Sequence, residues 1–305
     1  MTKRLSVFTP AKINLYLQAY EEKLPDDFHR LETVYQTIDL FDQLSFELSS
    51  ITEKHSEIKL SVSPAPQSHL VPLDGRNLAY RAARLFFDKT QITHKKININ
   101  IAKKIPVSGG LAGGSTNSAG TLYALNYLFG EPLEQEDLLR LCLELGSDVP
   151  FCFLGGTMLG TGRGDLLTRL NLSLDYTFVL VFPPSDLELS SKQVYASFDE
   201  LNKKSQPEIK IEKFMEILLT KGDVSKYLFN SLEEAVIHLS YWVETAKSAI
   251  DSRGFTSLVS GSGPSVFTIA PNEMTARQLL KQLANDGFKA SIHRPIDNSF
   301  QIIVH

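Results

Sequence analysis

The chain has little of what marks several whole classes of protein. It holds two cysteines in 305 residues, Cys142 and Cys152. That is too few for a disulfide framework, and both stand among apolar residues. Cys142 lies on the apolar stripe of an expected helix and Cys152 in the run Val149 to Leu154. Both are read as buried thiols of a reducing compartment. The seven histidines show no metal-ligand spacing. No apolar run reaches the length of a membrane helix. Near the N-terminus Pro10, Lys12 and Asn14 interrupt any signal-like core behind Lys3 and Arg4. The net charge, 31 basic against 35 acidic side chains, is −4. It is too small, and of the wrong sign, for a nucleic-acid binder. There is no internal repeat and no low-complexity tract. The expectation is a cytoplasmic protein of ordinary composition, long enough for a large core and two domains.

What the chain does have is the stretch Lys103 to Gly120, KKIPVSGGLAGGSTNSAG. Gly109, Gly110, Gly113 and Gly114 cluster tightly. Before them Ile97, Ile99 and Ile101 alternate with Asn98 and Asn100, which predicts a strand. After them the spacing from Ser118 to Phe129 predicts a helix with Gly130 just past its end. Strand, glycine loop and helix in that order suit an anion. Glycines let backbone N–H groups approach a phosphate, and the helix N-terminus adds partial positive charge. Ser115, Thr116 and Asn117 can cap the helix or bond phosphate oxygens. Neither stock phosphate motif fits. Ser115 stands where a P-loop needs Lys, and Leu111 where a dinucleotide fingerprint needs Gly. The loop is a phosphate cradle of another kind or a tight turn.

Along the chain, Leu5 to Phe8 reads as a strand broken by Pro10. Ile13, Leu15, Leu17 and Ala19 then alternate with Lys12, Asn14, Tyr16 and Gln18. Lys12 and Asn14 share a face that is either solvated or lines a polar cleft. Pro25-Asp26-Asp27 is a turn before Phe28-His29. Leu44 to Leu48 and Ile58 to Val62 predict strands, 61–75 a loop, and Asn77 to Phe87 a helix. Glu134 to Leu145 predicts an amphipathic helix ended by Gly146. Asp148 follows, as a turn or capping residue or a partly buried catalytic one. Tyr176 to Phe182 predicts a strand, 201–207 a polar linker, and Phe229 to Ser252 one long helix. Ser260-Gly261-Ser262-Gly263-Pro264-Ser265 is a second glycine loop. A strand at Val266 to Ile269, a helix at Thr275 to Asn285 and a strand at Phe300 to Val304 close the chain. Phosphoryl transfer needs a phosphate cradle, cationic charge and a group to take the acceptor hydroxyl's proton. The two loops with Lys12 and Asp148 offer all three.

PAKINLYL from Pro10, PVSGGLAGGSTNSAG from Pro106 and SGSGPSVF from Ser260 resemble, in order, the three motifs of the GHMP small-molecule kinases. Galactokinase, homoserine kinase and mevalonate kinase belong to that superfamily. The Asp27-Phe28-His29 turn with Leu31-Glu32-Thr33, Lys104-Ile105-Pro106, Gly146 to Phe151, and Asn230 to Glu234 resemble one branch of it. That branch phosphorylates the tertiary 2-hydroxyl of a CDP-linked methylerythritol, on the non-mevalonate route to isoprenoid and terpenoid precursors. The resemblance implies an α+β fold in two domains, ribosomal-protein-S5-like over 1–165 and ferredoxin-like over 166–305, with the active site between them. It implies ATP and Mg²⁺ as cofactors, with metal ligands unassigned beyond the hydroxyl of Ser115 or Thr116. Lys12 and Asp148 match the catalytic pair, and Asn14 would orient substrate. Phe28, where Tyr is usual, and His29 would bind the cytidine end, with Tyr195 on the other side of the base. Pro106, Val107, Ser108, Gly109, Gly110, Leu111, Ala112, Gly113, Gly114, Ser115 and Thr116 would wrap the ATP phosphates, and Asn77 and Lys96 would line the adenine pocket. The expected partner is the small-molecule substrate, with no nucleic acid or membrane, and the chain a monomer or weak homodimer. Ser108 and Ala112 replace glycines usual in the family, Thr116-Asn117-Ser118-Ala119 replaces Ser-Asn-Ala-Ala, and Pro264 replaces a smaller residue. If Ala112 needs a positive φ, it is strained. The alternatives are a mevalonate- or homoserine-type kinase of the same superfamily, disfavoured by the aromatic turn, and a non-catalytic ligand sensor, disfavoured by Lys12 and Asp148.

Overall fold

The computed structural model describes residues 3–52, 55–63, 68–201 and 205–305. The expected loop 61–75 and linker 201–207 lie in part outside them. In chain order the elements are β1 (Lys3–Lys23), β2 (His29–Ser50), β3 (Glu57–Val62), α1 (Leu78–Thr90), β4 (Lys95–Ala102), α2 (Gly113–Leu128), α3 (Gln135–Leu145), α4 (Val149–Leu154), β5 (Thr157–Thr161) and β6 (Leu166–Arg169). There follow β7 (Thr177–Phe182), α5 (Ser191–Glu200), α6 (Ile211–Leu219), β8 (Phe229–Asn230), α7 (Glu233–Leu239), α8 (Tyr241–Asp251), β9 (Ser257–Val259), β10 (Val266–Ala270), α9 (Glu273–Asn285), β11 (Lys289–His293) and β12 (Gln301–Val304).

Two sheets organise them. The first runs β12-β1-β2-β4-β3, with β8 added beside β1 and the β5–β6 hairpin beside β2. The second is antiparallel, in the order β11-β7-β10-β9. Residue 165 stands between the paired strands β5 and β6, and β12 returns to pair with β1, so both ends of the chain build the first sheet. Helices α1 to α4 pack on that sheet over one apolar core, and α5, α7, α8 and α9 pack on the second over another. A third core joins the two. It takes Ala11, Ile13 and Leu15 from β1 and Phe178 and Leu180 from β7. The alternate residues Val179 and Val181 face the helices of the second sheet. Both faces of β7 are therefore covered, and it reads as an unbroken apolar run, TFVLVF.

β1 does not break at Pro10, as its sequence suggests. It runs on for 21 residues, and the disruption is absorbed as a register shift. Pro10 pairs with Phe41 but Ala11 with Ile38. Proline is tolerated in a strand at such an irregularity, which also re-aims the side chains beyond it. Before it Leu5 and Val7 enter the core under α1 and α2; after it Ala11, Ile13 and Leu15 enter the core between the sheets.

Two helices differ from their predicted extents. α2 begins at Gly113 rather than Ser118, because two glycines do not prevent a first turn whose neighbours hold it in place. The predicted helix 229–252 divides into β8, α7 and α8, interrupted at Ser240, which is extended (φ −150°, ψ 107°).

α2 lies against β1 at Gly120, where a Cβ would come within 2.3 Å of Thr9 Cγ2. Thr9 is held by its hydroxyl, which donates to Asn117 Oδ1 at 2.9 Å. Gly120→Ala gains helix propensity of about 1 kcal/mol but overpacks a buried contact at about 1–3 kcal/mol. The expected result is a net loss of about 1 kcal/mol. Denaturant unfolding checks it; an unchanged or raised midpoint would mean that Thr9 moves freely.

Candidate active site

The glycine loop is fixed from below by a buried carboxylate. Asp42, fully buried on β2, accepts the backbone N–H groups of Lys104 and Ile105 through Oδ1 at 2.7 and 2.9 Å. Its Oδ2 pairs with Lys103 Nζ. A buried charge is tolerated only when paired and hydrogen-bonded, and here the pairing pins the exit of β4 where the loop starts. From above, the loop meets the second glycine loop. Ser265 N–H donates to Gly109 O at 3.3 Å and Ser260 Oγ to Gly110 O at 3.1 Å. Gly110 has φ +74°, and a Cβ there would lie 2.1 Å from Ser260 O. Only glycine meets both conditions. The second loop is itself held by Asn230, whose Nδ2 donates to Val259 O and Gly261 O at 2.8 and 2.7 Å, and by Glu233, which accepts Val259 N–H at 2.8 Å.

Between the loops stands Lys12. Its backbone N–H donates to Leu111 O at 3.2 Å, and its ammonium to Asn14 Oδ1 at 2.8 Å. Asn14 in turn donates to Thr33 Oγ1 at 2.7 Å. The Lys12 side chain is 5% exposed and lies 3.6 Å from Asp148 Oδ2 and 5.5 Å from the centre of the Tyr35 ring. Gly261 approaches so closely that its Cβ would sit 3.1 Å from Lys12 Nζ. Of the two readings of the Lys12 and Asn14 face, the polar cleft holds and the solvated face does not. Asp148 occupies the N-terminal cap position of α4 but makes no side-chain cap bond. Its carboxylate turns to Lys12 and to Tyr35, whose hydroxyl donates to Oδ1 at 3.2 Å.

A cleft of about 970 Å³ joins these groups to the far hairpin. That is at the upper end of ligand sites, roughly 300–1,000 Å³, and its lining runs from the glycine loop past Lys12 and Asp148 to Phe28, His29 and Tyr195. Of the loop residues singled out by sequence, Leu111 and Thr116 do not line it. Leu111 is buried in the core between the sheets, and the buried Thr116 hydroxyl has no hydrogen-bond partner. Asn77 lines the cleft while capping α1, accepting Ala79 N–H at 2.8 Å. Lys96 lies outside the lining, on β4, paired with Glu57 at 3.1 Å.

At the hairpin, Phe28 is 54% exposed with the Arg163 guanidinium 5.2 Å from its ring centre. His29 is buried. Its Nδ1 lies 2.7 Å from the Tyr20 carbonyl and so carries the hydrogen. Its Nε2 is 3.0 Å from Asp199 Oδ1 without hydrogen-bond alignment. Tyr195 stacks directly on His29, 5.4 Å between centres and 16° apart. Burial, with the Asp148 charge, holds the Tyr195 phenol above its ordinary pKa, so it stays neutral. Sequence reasoning missed Tyr35, Asp42, Lys103 as an ion-pair partner, Asp199 and Arg163. Tyr35 lies on β2 directly opposite Asn14, a pairing that only the structure shows.

Among the described residues no three His, Cys, Asp or Glu side chains converge on a metal site. Mg²⁺ bound with nucleotide takes phosphate and water oxygens and only one or two protein groups. Of the two hydroxyls singled out by sequence, that of Ser115, on the cleft wall, fits such an ion and that of the buried Thr116 does not.

Comparison with known proteins agrees with this geometry. The family model "GHMP kinases N terminal domain" matches residues 77–156, and "GHMP kinases C terminal" matches 214–290. A 4-diphosphocytidyl-2-C-methyl-D-erythritol kinase of Paenarthrobacter aurescens (strain TC1) is 33% identical, over 96% of this chain and 94% of its own. The enzyme of that name in Corynebacterium glutamicum (strain R) is 37% identical over 91% and 88%. A crystal structure of 4-(cytidine 5'-diphospho)-2C-methyl-D-erythritol kinase superposes with TM-score 0.73 at 28% identity, covering 95% of this chain and 99% of the other. Homoserine kinase from Cytophaga hutchinsonii shares the fold at TM-score 0.72 and 19% identity, covering 98% and 97%.

Both replaced glycines of the loop have left-handed backbone: φ is 53° at Ser108 and 57° at Ala112. Side-chain residues pay about 1–2 kcal/mol there, against about 0.4–1 kcal/mol of unfolded-state entropy that glycine restores. Stability at position 112 should therefore fall in the order Gly, Ala, Val, with Ala112→Gly gaining about 0.5 kcal/mol. Thermal unfolding of the three forms tests the order, and a reversed one would show that the loop carries no strain.

Proposed function

We propose that this chain, which belongs to the GHMP kinases and within them to the 4-diphosphocytidyl-2-C-methyl-D-erythritol kinases, transfers the γ-phosphoryl group of ATP to the 2-hydroxyl of 4-diphosphocytidyl-2-C-methyl-D-erythritol. One observation carries the reading: a single cleft joins a glycine-rich anion cradle, the buried Lys12–Asp148 pair and an aromatic-and-histidine hairpin. In this reading residues 1–165 supply the nucleotide and most of the substrate contacts, and residues 166–305 close the cleft with Tyr195 and the second loop. ATP phosphates lie against the backbone of 106–116 and the first turn of α2. Asp148 accepts the acceptor hydroxyl's proton through Oδ2. Lys12, 3.6 Å from that carboxylate, offsets charge on the phosphoryl group in transfer. Asn14, locked by Thr33, orients the polyol. The unaligned Nε2 of His29 meets the edge of the base, and Phe28 offers it a face. Ser115 would help hold Mg²⁺ bound with the nucleotide, and the ion would screen the phosphate charge. The protein works in the cytoplasm, as a monomer or weak homodimer, on small molecules alone.

The test is ADP release with purified protein, ATP, Mg²⁺ and the CDP-linked polyol, beside mevalonate and homoserine. Turnover with the CDP compound alone is expected, inhibited by CDP. Asp148→Asn should lower kcat by about 10²–10⁴ while ATP binding, read by calorimetry, persists. Full activity in that variant would sink the mechanism. Turnover of mevalonate or homoserine instead would move the substrate assignment, and ATP binding without turnover of any of the three would favour a sensor.

A further inference from the structure

Asp148 is aimed by something other than its own helix. It sits at the start of α4, where an aspartate ordinarily accepts a backbone N–H, yet it makes no such bond. Its two oxygens are divided. Oδ2 faces Lys12 Nζ at 3.6 Å and Oδ1 accepts from Tyr35 at 3.2 Å. We propose that Tyr35 is a positioning residue of the phosphoryl transfer: its hydroxyl holds Asp148 Oδ1, and so presents Oδ2 to Lys12 and to the acceptor hydroxyl. This deepens the kinase reading above and rests on it.

The surroundings of Tyr35 are built to fix it. Its ring stacks on Phe151, one turn along α4 from Asp148, at 4.5 Å and 22°. Two glycines of the β5–β6 hairpin close over its edge. A Cβ on Gly160 would lie 2.7 Å from Tyr35 Cε2, and one on Gly164 only 2.3 Å from Tyr35 Oη. The side chain is almost fully buried. The hydroxyl therefore cannot swing away, and the carboxylate it holds is fixed with it. Burial first, then the Asp148 charge, keeps the phenol well above its ordinary pKa. Tyr35 thus remains a donor through the working pH range.

In the reaction, the acceptor oxygen forms its bond to the γ-phosphorus as that phosphorus loses its bond to the bridging oxygen of ADP. The acceptor's proton passes to Asp148 Oδ2. Tyr35 keeps its own proton throughout. Among the described residues, Lys12 from β1 and Tyr35 from β2 hold the Asp148 carboxylate between them.

Tyr35→Phe keeps the ring, its stack and its packing, and removes only the hydroxyl. With the CDP-linked polyol and ATP, kcat should fall about 10- to 100-fold while both KM values hold. In the Asp148→Asn background the same change should cost nothing further. Wild-type kcat in Tyr35→Phe, or a loss that appears in KM instead of kcat, would overturn the proposal. So would a full additional loss on top of Asp148→Asn, since Tyr35 would then act apart from Asp148. If Tyr35→Phe does not fold, 3-fluorotyrosine at position 35 replaces it: a stronger donor should change kcat while both KM values hold, and an unchanged kcat refutes the role. A wild-type protein that does not phosphorylate the polyol at all would fell the kinase reading itself, which the first row of the same assay shows before any variant is compared.

Discussion

A buried ammonium governs the centre of this molecule. Lys12 lies on the middle strand pair of the first sheet, shielded from water, and its charge must be answered by neighbours that the fold supplies. Those neighbours come from distant stretches of chain: Asn14 beside it, Asp148 at the head of α4, the Tyr35 ring across the ladder. The same residue donates its backbone N–H to the first glycine loop and touches the second through Gly261. Satisfying one cation therefore brings the first glycine loop, the carboxylate and the second loop to one point. The register shift at Pro10 makes this possible, since it turns the odd-numbered aliphatic residues toward the second sheet and leaves Lys12 and Asn14 on the side of the loops.

Much of this was legible from sequence because it depends on local chemistry. Glycines at 109, 110, 113 and 114, the alternation around Lys12, and the lone Asp148 between a helix end and an apolar run are short-range signals. Several elements followed from periodicity in the same way, among them β4, β7, α1, α3 and α9, whereas α4, α5, α6, β5, β6 and β11 were not assigned. What escaped depends on contacts between residues far apart in the chain. Tyr35 is separated from Asp148 by 113 positions, and nothing in β2 marks it from its neighbours. Asp42 is one acidic residue among many until β4 places Lys103 and two backbone amides around it. Pro10 reads as a break because local rules know nothing of a partner strand able to absorb two extra residues. The early start of α2 was hidden by Gly113 and Gly114, whose poor propensity is overridden by packing. A Cβ on Gly113 would meet Lys103 Nζ at 2.9 Å, so the glycine is retained for close approach, not for flexibility.

The shared scaffold also locates what distinguishes one member from another. Homoserine kinase from Cytophaga hutchinsonii carries nearly the same fold at 19% identity, so the layers cannot by themselves select an acceptor. Selection must come from side chains at the end of the cleft away from the loops. Here that end is built from the β1–β2 turn and α5, which meet through the His29–Tyr195 stack and the Lys23–Asp199 ion pair at 3.2 Å. An exposed Phe28 and a buried imidazole nitrogen without an aligned partner make poor sense for a small aliphatic hydroxy acid, which offers neither a ring face nor a base edge. They make good sense for a nucleoside, whose burial would cover the one and satisfy the other. The non-catalytic alternative fails on a different ground. A sensor gains nothing by keeping an ammonium dehydrated beside a carboxylate that is oriented by a tyrosine and left uncapped. Each of these costs stability, and phosphoryl transfer is the chemistry that uses all of them together.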